Sequence, residues 1–354
     1  MENSLGAPFN NISGPILLTG HTGFKGTWMT LLLEHLGLPV IGYSLPAESQ
    51  SLYSRTSRLG KIPEEFNDIR DPDALSRFIN FYKPSIIVHM AAQSLVLRSY
   101  EIPKETFEIN IMGTTNLLDI AFKAKFVKVV LALTTDKVYE NKNLGKRFTE
   151  SDALQGNDPY SASKVGTESV IAGYQKMVEI FGGPKIVAVR AGNVIGGGDF
   201  ASNRLIPDMI RSYISGETLV IRNKNSTRPW QHVLDPLNGY LSLIKALIDG
   251  KSIKQINFGP VEKSLSVSEV IDFSSKIIDF KYKDIENTQA FMNSESHTLE
   301  LDSSFAKDTI NWYPKFDQKS SIEHTLNWWI KVLRDGEDPF IACKNDINKH
   351  FSMI

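Results

Sequence analysis

The sequence has almost no cysteine, no excess of either charge and no long apolar run. A single cysteine, Cys343, excludes an intrachain disulfide and a metal site built from several cysteines. The 39 lysines and arginines balance 40 aspartates and glutamates, so nothing indicates a nucleic-acid-binding or membrane-binding surface. No apolar stretch reaches the roughly 20 residues that cross a bilayer, and residues 1–13 lack the pattern of a signal peptide. These absences predict a soluble cytoplasmic protein that binds no metal, nucleic acid or membrane.

Short apolar, β-branched runs alternate with helical patterns up to about residue 190. The runs that read as buried parallel strands are residues 15–19, 38–44, 85–89, 127–133 and 185–190. Their alternation with helices predicts an α/β fold with a doubly wound parallel sheet. Beyond these strands the pattern breaks, so we expect a large domain over residues 1–190, to which residues 232–256 return. Residues 191–231 and 257–354 are predicted to form a smaller, mostly C-terminal lobe.

Three glycines fall in the turn between the first predicted strand and the first predicted helix. Gly20, Gly23 and Gly26 have the spacing GxxGxxG, a variant of the dinucleotide-binding fingerprint. Without side chains, such a turn lets backbone N–H groups approach a pyrophosphate at a helix N-terminus. A tight strand-to-helix turn with no ligand is the alternative interpretation. In this context the motif predicts a Rossmann-type cofactor site that also includes Thr22 and Phe24.

Further cofactor-binding candidates follow later strands of the same predicted sheet. They are Asp68, Ile69, Ala91, Ala92, Gln93 and Asn110. Small residues directly after the strand 85–89 allow the backbone to approach a cofactor closely. An asparagine inside the long helix predicted at about 103–125 needs a partner outside the helix, because its amide otherwise competes with the helix backbone. We therefore expect Asn110 to contact a neighbouring strand or the cofactor.

The end of the second predicted strand does not decide between NAD and NADP. An acidic residue there usually binds the ribose hydroxyls of NAD, but this chain has Tyr43-Ser44 instead. Arg55 and Arg58 follow shortly afterwards. The choice between the two cofactors stays open at this point.

The stretch from residue 134 to residue 164 carries the candidate chemistry. Thr135, Asp136 and Lys137 follow a predicted strand, at the edge of an α/β sheet where ligands bind. Tyr160 and Lys164 are four residues apart in a predicted helix and share one face of it. A lysine beside a phenol favours the phenolate and makes it a usable base. The alternative is that an exposed tyrosine and lysine meet by chance.

A basic segment over residues 221–233 is a candidate substrate contact. It places Arg222, Lys224 and Arg228 close to the aromatic Trp230. Guanidinium groups bind phosphates, and an indole packs on a ring, so this composition fits a phosphorylated, ring-bearing ligand. A solvated basic loop without a ligand is the alternative.

Taken together, these segments resemble the extended short-chain dehydrogenase/reductases, and within them the CDP-glucose 4,6-dehydratase group. The matching stretches are TGHTGFKGTW (19–28), HMAAQSLV (89–96), TTDKVYEN (134–141), DPYSASK (158–164), VRAGNVIGGGDF (189–200), IRNKNSTRPWQHV (221–233) and NFGP (257–260). They span nearly the whole chain in order. The resemblance implies a sugar-nucleotide enzyme that holds NAD, with NADP less expected.

The resemblance also implies a role for each residue of the candidate catalytic group. Tyr160 would remove the proton of the sugar 4-hydroxyl, and Thr135 would hydrogen-bond that hydroxyl. Lys164 would lower the pKa of the tyrosine and bind the nicotinamide ribose. Asp136 would act as the acid at the C6 hydroxyl, and Lys137 as the base at C5. The implied product is CDP-4-dehydro-6-deoxyglucose, formed with loss of water.

Substrate contacts and assembly are likewise implied by resemblance. Asn193 and Arg228 match positions that touch the diphosphate. Arg204, Arg222 and Trp230 are further candidate contacts to the sugar nucleotide. By analogy with relatives, a homodimer or homotetramer would form through the helices near 103–125 and 160–181.

Two other functions remain open from the sequence. The first is another sugar-nucleotide enzyme of this superfamily, such as a 4-epimerase, with a different nucleotide or sugar. The pair Asp136-Lys137 argues against an epimerase, which needs no acid and base beside the hydroxyl residue. The second is a catalytically silent nucleotide-binding scaffold, which the intact Thr135, Tyr160 and Lys164 argue against.

Overall fold

The computed structural model describes residues 13–142, 145–201, 203–221, 223–284 and 299–353. The strands are β1 (Ile16–Thr19), β2 (Val40–Ser44), β3 (Glu64–Phe66), β4 (Ile86–His89), β5 (Val129–Leu133), β6 (Lys185–Ala191), β7 (Val194–Ile195), β8 (Leu219–Ile221), β9 (Thr227–Arg228), β10 (Gln231–His232), β11 (Gln255–Phe258), β12 (Leu265–Ser266) and β13 (Tyr282–Asp284). The helices are α1 (Phe24–His35), α2 (Leu52–Arg55), α3 (Pro72–Tyr82), α4 (Val96–Glu101), α5 (Pro103–Phe107), α6 (Gly113–Lys123), α7 (Pro159–Phe181), α8 (Leu205–Ser215), α9 (Leu234–Ile248), α10 (Val267–Ser274) and, nearer the C-terminus, Ser304–Ile310, Gln318–Leu333 and Pro339–Ser352.

A seven-stranded sheet with the order β11-β6-β5-β4-β1-β2-β3 forms the centre of the molecule. Every pairing in this sheet is parallel. The order reverses between β1 and β4, where Thr19 lies opposite His89. Such a reversal leaves a crevice at the carboxyl ends of the strands, and ligands bind there. The predicted doubly wound α/β fold is confirmed.

Both faces of the sheet are buried under helices. Along β1, Ile16 and Leu18 join one hydrophobic cluster, whereas Leu17 between them joins another. Because successive side chains of a strand point to opposite faces, the two clusters are the two layers of the core. The larger cluster also contains Trp328 and Trp329 from the helix Gln318–Leu333. C-terminal residues thus complete the layer that covers one face of the sheet.

Most predicted strands and helices form within a few residues of their expected positions, and the differences are local. The long helix expected at 103–125 contains a π-helical segment, Glu108–Met112, between α5 and α6. The last strand of the central sheet, β11, extends two residues past the predicted boundary between residues 256 and 257. The division into two lobes stays a prediction.

Gly197 has no room for a side chain, and its replacement by alanine should destabilise the fold. An added Cβ would lie 2.0 Å from the Trp328 ring, which is 1% exposed and cannot move into solvent. Overpacking of this kind costs about 1–3 kcal/mol, so we expect Gly197→Ala to lower the melting temperature. The control is Gly173→Ala in α7, where a Cβ meets nothing within 4 Å. Alanine there should stabilise the helix by about 0.5–1 kcal/mol, and equal melting temperatures for both variants would contradict this packing.

Candidate active site

A cleft of about 890 Å³ opens at the carboxyl ends of the central strands. This volume is near the top of the range of roughly 300–1,000 Å³ found for small-molecule sites. The predicted site residues that line it are Gly20, Thr22, Gly23, Phe24, Gly26, Asp68, Ile69, Ala91, Ala92, Gln93, Thr135, Asp136, Lys137, Tyr160, Lys164, Asn193, Arg204, Arg228 and Trp230. Arg222 lies outside the described residues. Residues far apart in the chain are thus brought together at one site.

The glycine turn after β1 is packed so tightly that side chains are excluded from it. Gly20 has φ +72°, and a Cβ there would lie 2.8 Å from the backbone nitrogen of Ala91. A Cβ on Gly26 would lie 2.2 Å from the carbonyl oxygen of Gly20. Gly23 precedes the first turn of α1 and offers no side-chain cap. The positive end of α1 therefore faces the cleft with backbone N–H groups available, which fits the pyrophosphate of NAD.

The environment of the arginines after β2 favours NAD over NADP. Thr22 and Ser44, at the end of β2, share a hydrogen bond of 2.8 Å between their hydroxyl oxygens. Arg58 is 5% exposed, and its guanidinium group pairs with Glu34. The guanidinium carbon of Arg55 lies 4.1 Å from the centroid of the Phe200 ring. Both arginines are thus engaged within the protein instead of lining the site.

Asn110 stands behind the cleft wall instead of lining it. Its Oδ1 accepts a hydrogen bond from the backbone nitrogen of Gln93 at 2.9 Å. Its Nδ2 donates to the carbonyl oxygen of Gln93 at 3.0 Å and to Ser163 Oγ at 2.8 Å. The predicted need for a partner outside the helix is met by the turn after β4 and by α7. A direct contact of Asn110 with the cofactor stays a prediction, and the observed contacts give it a positioning role.

The start of α7 fixes where Tyr160 and Lys164 point. Asp158 caps the helix by accepting a hydrogen bond from the backbone nitrogen of Ser161 at 2.9 Å, and Ser161 completes a capping box. The side chains of Tyr160 and Lys164 are both buried and both line the cleft. Lys164 donates from Nζ to the carbonyl oxygen of Leu133 at 2.9 Å. The helix is therefore tied directly to the end of β5.

Burial has the largest effect on the pKa values of Tyr160 and Lys164, and the expectation that Lys164 makes the phenol more acidic stays a prediction. Burial raises the pKa of Tyr160 to about 12, although a hydrogen bond with Thr135 and the charge of Arg204 act in the opposite direction. Burial also lowers the pKa of Lys164 to about 8, helped by the nearby charge of Lys25. The ammonium group is directed at a backbone carbonyl. Burial is a property of the folded chain, so it could not be judged from the YxxxK spacing.

Asp136 is a buried carboxyl group with one free oxygen. It is 2% exposed, and its Oδ1 lies 3.0 Å from the hydroxyl of Thr135. Its Oδ2 has no hydrogen-bond partner in the described part of the chain. Burial raises the pKa of this carboxyl, although Lys137, Thr135 and Arg228 act to lower it. A carboxyl whose neutral form is favoured in a cleft can serve as a general acid.

Lys25 and Asp199 are among the charged residues of the cleft that the sequence analysis did not predict. Lys25, between two glycines of the turn, is close enough to Asp136 and Arg204 for its charge to interact with both, and burial lowers its pKa to about 8. Asp199 is buried and pairs with Arg204 at 3.0 Å between Oδ2 and Nη1. The signal for Lys25 was a charged side chain in the first turn of an otherwise buried helix. Nothing local marked Asp199 as the partner of Arg204.

The substrate candidates converge on the other end of the cleft. Trp230 is buried and donates from Nε1 to the carbonyl oxygen of Leu265 at 3.2 Å, which fixes its ring. Arg228 is buried and donates from Nη1 to the carbonyl oxygen of Thr227 at 2.8 Å. Asn193 lies beside them because β7 and β10 pair in parallel. This end combines an aromatic ring, a guanidinium group and an amide.

Comparisons with known proteins agree with this geometry. Residues 16–259 match the model of the NAD dependent epimerase/dehydratase family. The CDP-glucose 4,6-dehydratase of Salmonella typhimurium is 37% identical over 349 residues, which cover 95% of this chain and 96% of that protein. The chain belongs to the NAD dependent epimerase/dehydratase family. The resemblance drawn from the motifs is confirmed, and NAD is the cofactor that the glycine turn fits.

More distant members of the family share the architecture. The dTDP-glucose 4,6-dehydratase of Xanthomonas campestris is 25% identical and covers 90% of this chain and 96% of its own. The structure of the dTDP-glucose 4,6-dehydratase of Streptomyces venezuelae, with NAD bound, gives a TM-score of 0.77 at 23% identity, covering 92% of this chain and 99% of that chain. The UDP-glucose 4-epimerase of Thermus thermophilus, in complex with NAD, gives 0.77 at 21% identity over 90% of this chain and 100% of that chain. At these identities the structural likeness concerns the fold.

Metal binding and membrane insertion were both expected to be absent. Within the described ranges, no group of three or more His, Cys, Asp or Glu side chains could hold a metal ion. Nor is any described helix both long and apolar enough to cross a bilayer. The two expectations stay predictions.

Proposed function

We propose that this member of the family is a sugar-nucleotide 4,6-dehydratase that converts CDP-glucose to CDP-4-dehydro-6-deoxyglucose and water. The observation that carries the proposal is the buried Asp136 carboxyl, which lines the cleft with Thr135 and Tyr160 and has one oxygen without a hydrogen-bond partner among the described residues. A 4-epimerase has no leaving hydroxyl to protonate, whereas a dehydratase needs an acid at this place. The similarity to the Salmonella CDP-glucose 4,6-dehydratase supports CDP-glucose as the substrate.

Oxidation at C4 is assigned to the pair on α7 together with Thr135. Bound NAD would take up the hydrogen of C4 and give it back at C6, so that the cofactor is not consumed overall. Tyr160 accepts the proton of the 4-hydroxyl, and Thr135 orients that hydroxyl by a hydrogen bond. Lys164 holds an ammonium group beneath the site through its bond to Leu133. Its positive charge stabilises the phenolate that forms as Tyr160 loses its own proton to solvent.

Loss of water is assigned to the turn after β5. The ketone at C4 acidifies the proton on C5, and Lys137 removes this proton as the base. Asp136 donates its proton to the C6 hydroxyl, which leaves as water when the C6–O bond breaks. A double bond forms between C5 and C6, and it is removed when C6 gains the hydrogen and C5 regains a proton. The balance is one sugar nucleotide in, and one dehydrated sugar nucleotide and one water out.

We assign the diphosphate and the nucleobase of the substrate to the end of the cleft that contains Asn193, Arg228 and Trp230. Arg228 and Asn193 bind the diphosphate, and Asp199 orients the guanidinium group of Arg204 toward the same region. The ring of Trp230, fixed by its hydrogen bond to Leu265, offers an apolar wall. A guanidinium group has two parallel N–H donors, and phosphate oxygens are spaced so that they can accept both hydrogen bonds. Bidentate contacts from arginine therefore suit a diphosphate.

We also infer a cytoplasmic homodimer or homotetramer. The helices α5 and α6 both pack against α7, and apolar side chains on α5 and on the π-helical segment Glu108–Met112 remain exposed. Phe107 is 37% exposed, and Met112 is 51% exposed. A second copy that packs against this face would cover both side chains. Light scattering of the purified protein tests this directly, and a monomer at micromolar concentration would contradict it.

The activity is tested by incubating the purified protein with CDP-glucose and a catalytic amount of NAD. We expect a product that has lost one water and absorbs in alkali as a 4-keto-6-deoxy sugar does, with no net reduction of NAD. Turnover of dTDP-, GDP- or UDP-glucose but not CDP-glucose would keep the reaction and overturn the assigned nucleotide. Isomerisation without loss of water would overturn the dehydratase and leave a 4-epimerase.

A further inference from the structure

A buried ion pair lies behind the cleft, outside the residues assigned to the reaction. Arg190, from β6, donates from Nε to Glu168 Oε1 and from Nη2 to Glu168 Oε2, both at 2.8 Å. The two side chains are 5% and 6% exposed. Neither residue lines the cleft. A bidentate pair of this kind holds its partners in one relative orientation. The further hydrogen bonds of the two side chains therefore decide which parts of the site the pair can position.

The pair is attached to the chain on both sides of the catalytic turn, which we define as residues 135–137. On the near side, Thr134 donates from Oγ1 to Glu168 Oε1 at 2.6 Å. On the far side, Arg190 donates from Nη1 to the hydroxyl oxygen of Tyr139 at 2.9 Å. The residues just before the turn and just beyond it are therefore tied to the same ion pair.

The far attachment continues into the edge of the central sheet. Tyr139 donates from its hydroxyl to Asn257 Oδ1 at 2.7 Å, and Asn257 lies on β11. Asn257 in turn donates from Nδ2 to the carbonyl oxygen of Phe148 at 2.9 Å. The rings of Tyr139 and Phe148 stack with their centroids 5.0 Å apart. All of these groups are buried, so the network has little freedom to adopt a second arrangement.

The same ion pair is also connected to Lys164. Glu168 follows Lys164 by one turn of α7, and its carboxylate raises the pKa of that lysine against the effect of burial. Besides Tyr160, the titratable groups of the described residues that interact with Lys164 include Lys25 from α1, which lowers the lysine's pKa, and His89 from β4. His89 is neutral near pH 7 because burial lowers its pKa to about 3. Among the described residues, Glu168 therefore supplies a negative charge that offsets the effect of Lys25 on Lys164.

We infer that Glu168 and Arg190 are positioning residues that hold the catalytic turn and the Tyr160–Lys164 pair in one fixed geometry. The inference rests on the proposed dehydratase function, whose two halves are oxidation at C4 and loss of water. It assigns the attachments through Tyr139 and through Glu168 different effects on these two steps. The hydroxyl of Tyr139 serves the turn that carries Asp136. The carboxylate of Glu168 serves both the turn and Lys164.

Tyr139→Phe tests the attachment of the turn alone. The variant keeps the ring stacked on Phe148 but loses the hydrogen bonds to Arg190 and Asn257. We expect loss of water to slow by about 10- to 100-fold, the effect of misplacing a reacting group by a fraction of an ångström. Oxidation at C4, followed in a single turnover, should slow less than loss of water and keep its wild-type pH profile, because Thr134, next to Thr135, stays bonded to Glu168. The 4-keto sugar nucleotide that still carries its C6 hydroxyl should accumulate.

Glu168→Gln tests the attachment to Lys164 as well. Removing the carboxylate lowers the pKa of Lys164 further, so the ammonium form is lost at a lower pH. We expect the alkaline limb of the pH profile for C4 oxidation to move to lower pH, together with slower loss of water. The matched control is Glu179→Gln on the same helix, where an exposed carboxylate pairs with Lys176 and Lys254. This control should leave both steps and the pH profile unchanged.

The outcomes separate positioning from a merely structural role and from the proposed function. A structural role would lower the folded fraction and the melting temperature, and would slow both steps equally with no change in pH profile; that result overturns the inference. The inference would also be overturned if, in both variants, the ratio between the rates of C4 oxidation and loss of water and the pH profile of C4 oxidation stayed at their wild-type values. If the wild type does not dehydrate CDP-glucose, the proposed function fails instead. The variants are then compared on the sugar nucleotide that the wild type oxidises, where the shifted alkaline limb of Glu168→Gln is still required.

Discussion

Asp136→Asn is expected to leave oxidation at C4 of the sugar intact and to slow loss of water by about 10²–10⁴-fold, the usual contribution of a general acid. The amide keeps the shape of the side chain and its contact with Thr135, but it cannot donate an acidic proton to the C6 hydroxyl. The measurement is a single turnover with CDP-glucose, in which cofactor reduction and loss of water are followed separately. The 4-keto sugar nucleotide with its C6 hydroxyl should accumulate.

The control for this variant is Asp249→Asn. Asp249 is exposed at the end of α9, where its carboxylate pairs with Lys245 at 2.7 Å. The same chemical change there should leave both steps at their wild-type rates.

Because burial raises the pKa of Asp136, its protonated form persists to higher pH than that of an ordinary aspartate. Loss of water should fall as the pH rises through that pKa, and an unchanged rate in Asp136→Asn would remove the residue from its assigned role.

Tyr160→Phe is expected to slow oxidation at C4 itself, by about 10²–10⁴-fold, because the base that accepts the 4-hydroxyl proton is missing. Every later step depends on the ketone, so loss of water should slow by the same factor. The phenyl ring fills the same buried space, and the backbone nitrogen of residue 160 still donates to Ser99 Oγ. Binding of CDP-glucose, measured by calorimetry, should therefore be retained while cofactor reduction is lost.

Tyr174→Phe provides the matched control on the same helix. The ring of Tyr174 is partly buried on α7, and its hydroxyl interacts with Asp119 away from the cleft. Removing that hydroxyl should change neither step. Rapid cofactor reduction in Tyr160→Phe would show that another group takes the proton of the 4-hydroxyl. Lys25, which lines the cleft and whose pKa burial lowers to about 8, would then be an alternative to examine.

The parts of the site that could be predicted from the sequence are those whose chemistry lies in contiguous residues. The turn around Gly20 follows a strand and opens a helix, so the glycine spacing in this context predicts a dinucleotide-binding turn. The same holds for Thr135 at the end of β5 and for Tyr160 and Lys164 one helical turn apart. In each case the chain order dictates which edge of the sheet or which face of the helix the side chain occupies.

The parts that could not be predicted depend on which distant segments pack together. Burial raises the pKa of Tyr160 and of Asp136, but the extent of burial is set by the whole cleft. The pairing of Glu168 with Arg190 joins a helix to a strand 22 residues later, with no local signal. The helix Pro339–Ser352 was not predicted, although Asp338 caps it and its buried residues include Cys343. Its sequence is polar, so its apolar face is recognised only once it packs.

The most direct measurement uses CDP-glucose that carries deuterium at C4 and follows where that deuterium goes. We predict a product that has lost one water and carries the deuterium at C6, with a solvent-derived hydrogen at C5. That result requires oxidation, loss of water and return of the same hydrogen within one site, which is the central claim. A product that retains deuterium at C4, or that has lost no water, would contradict it.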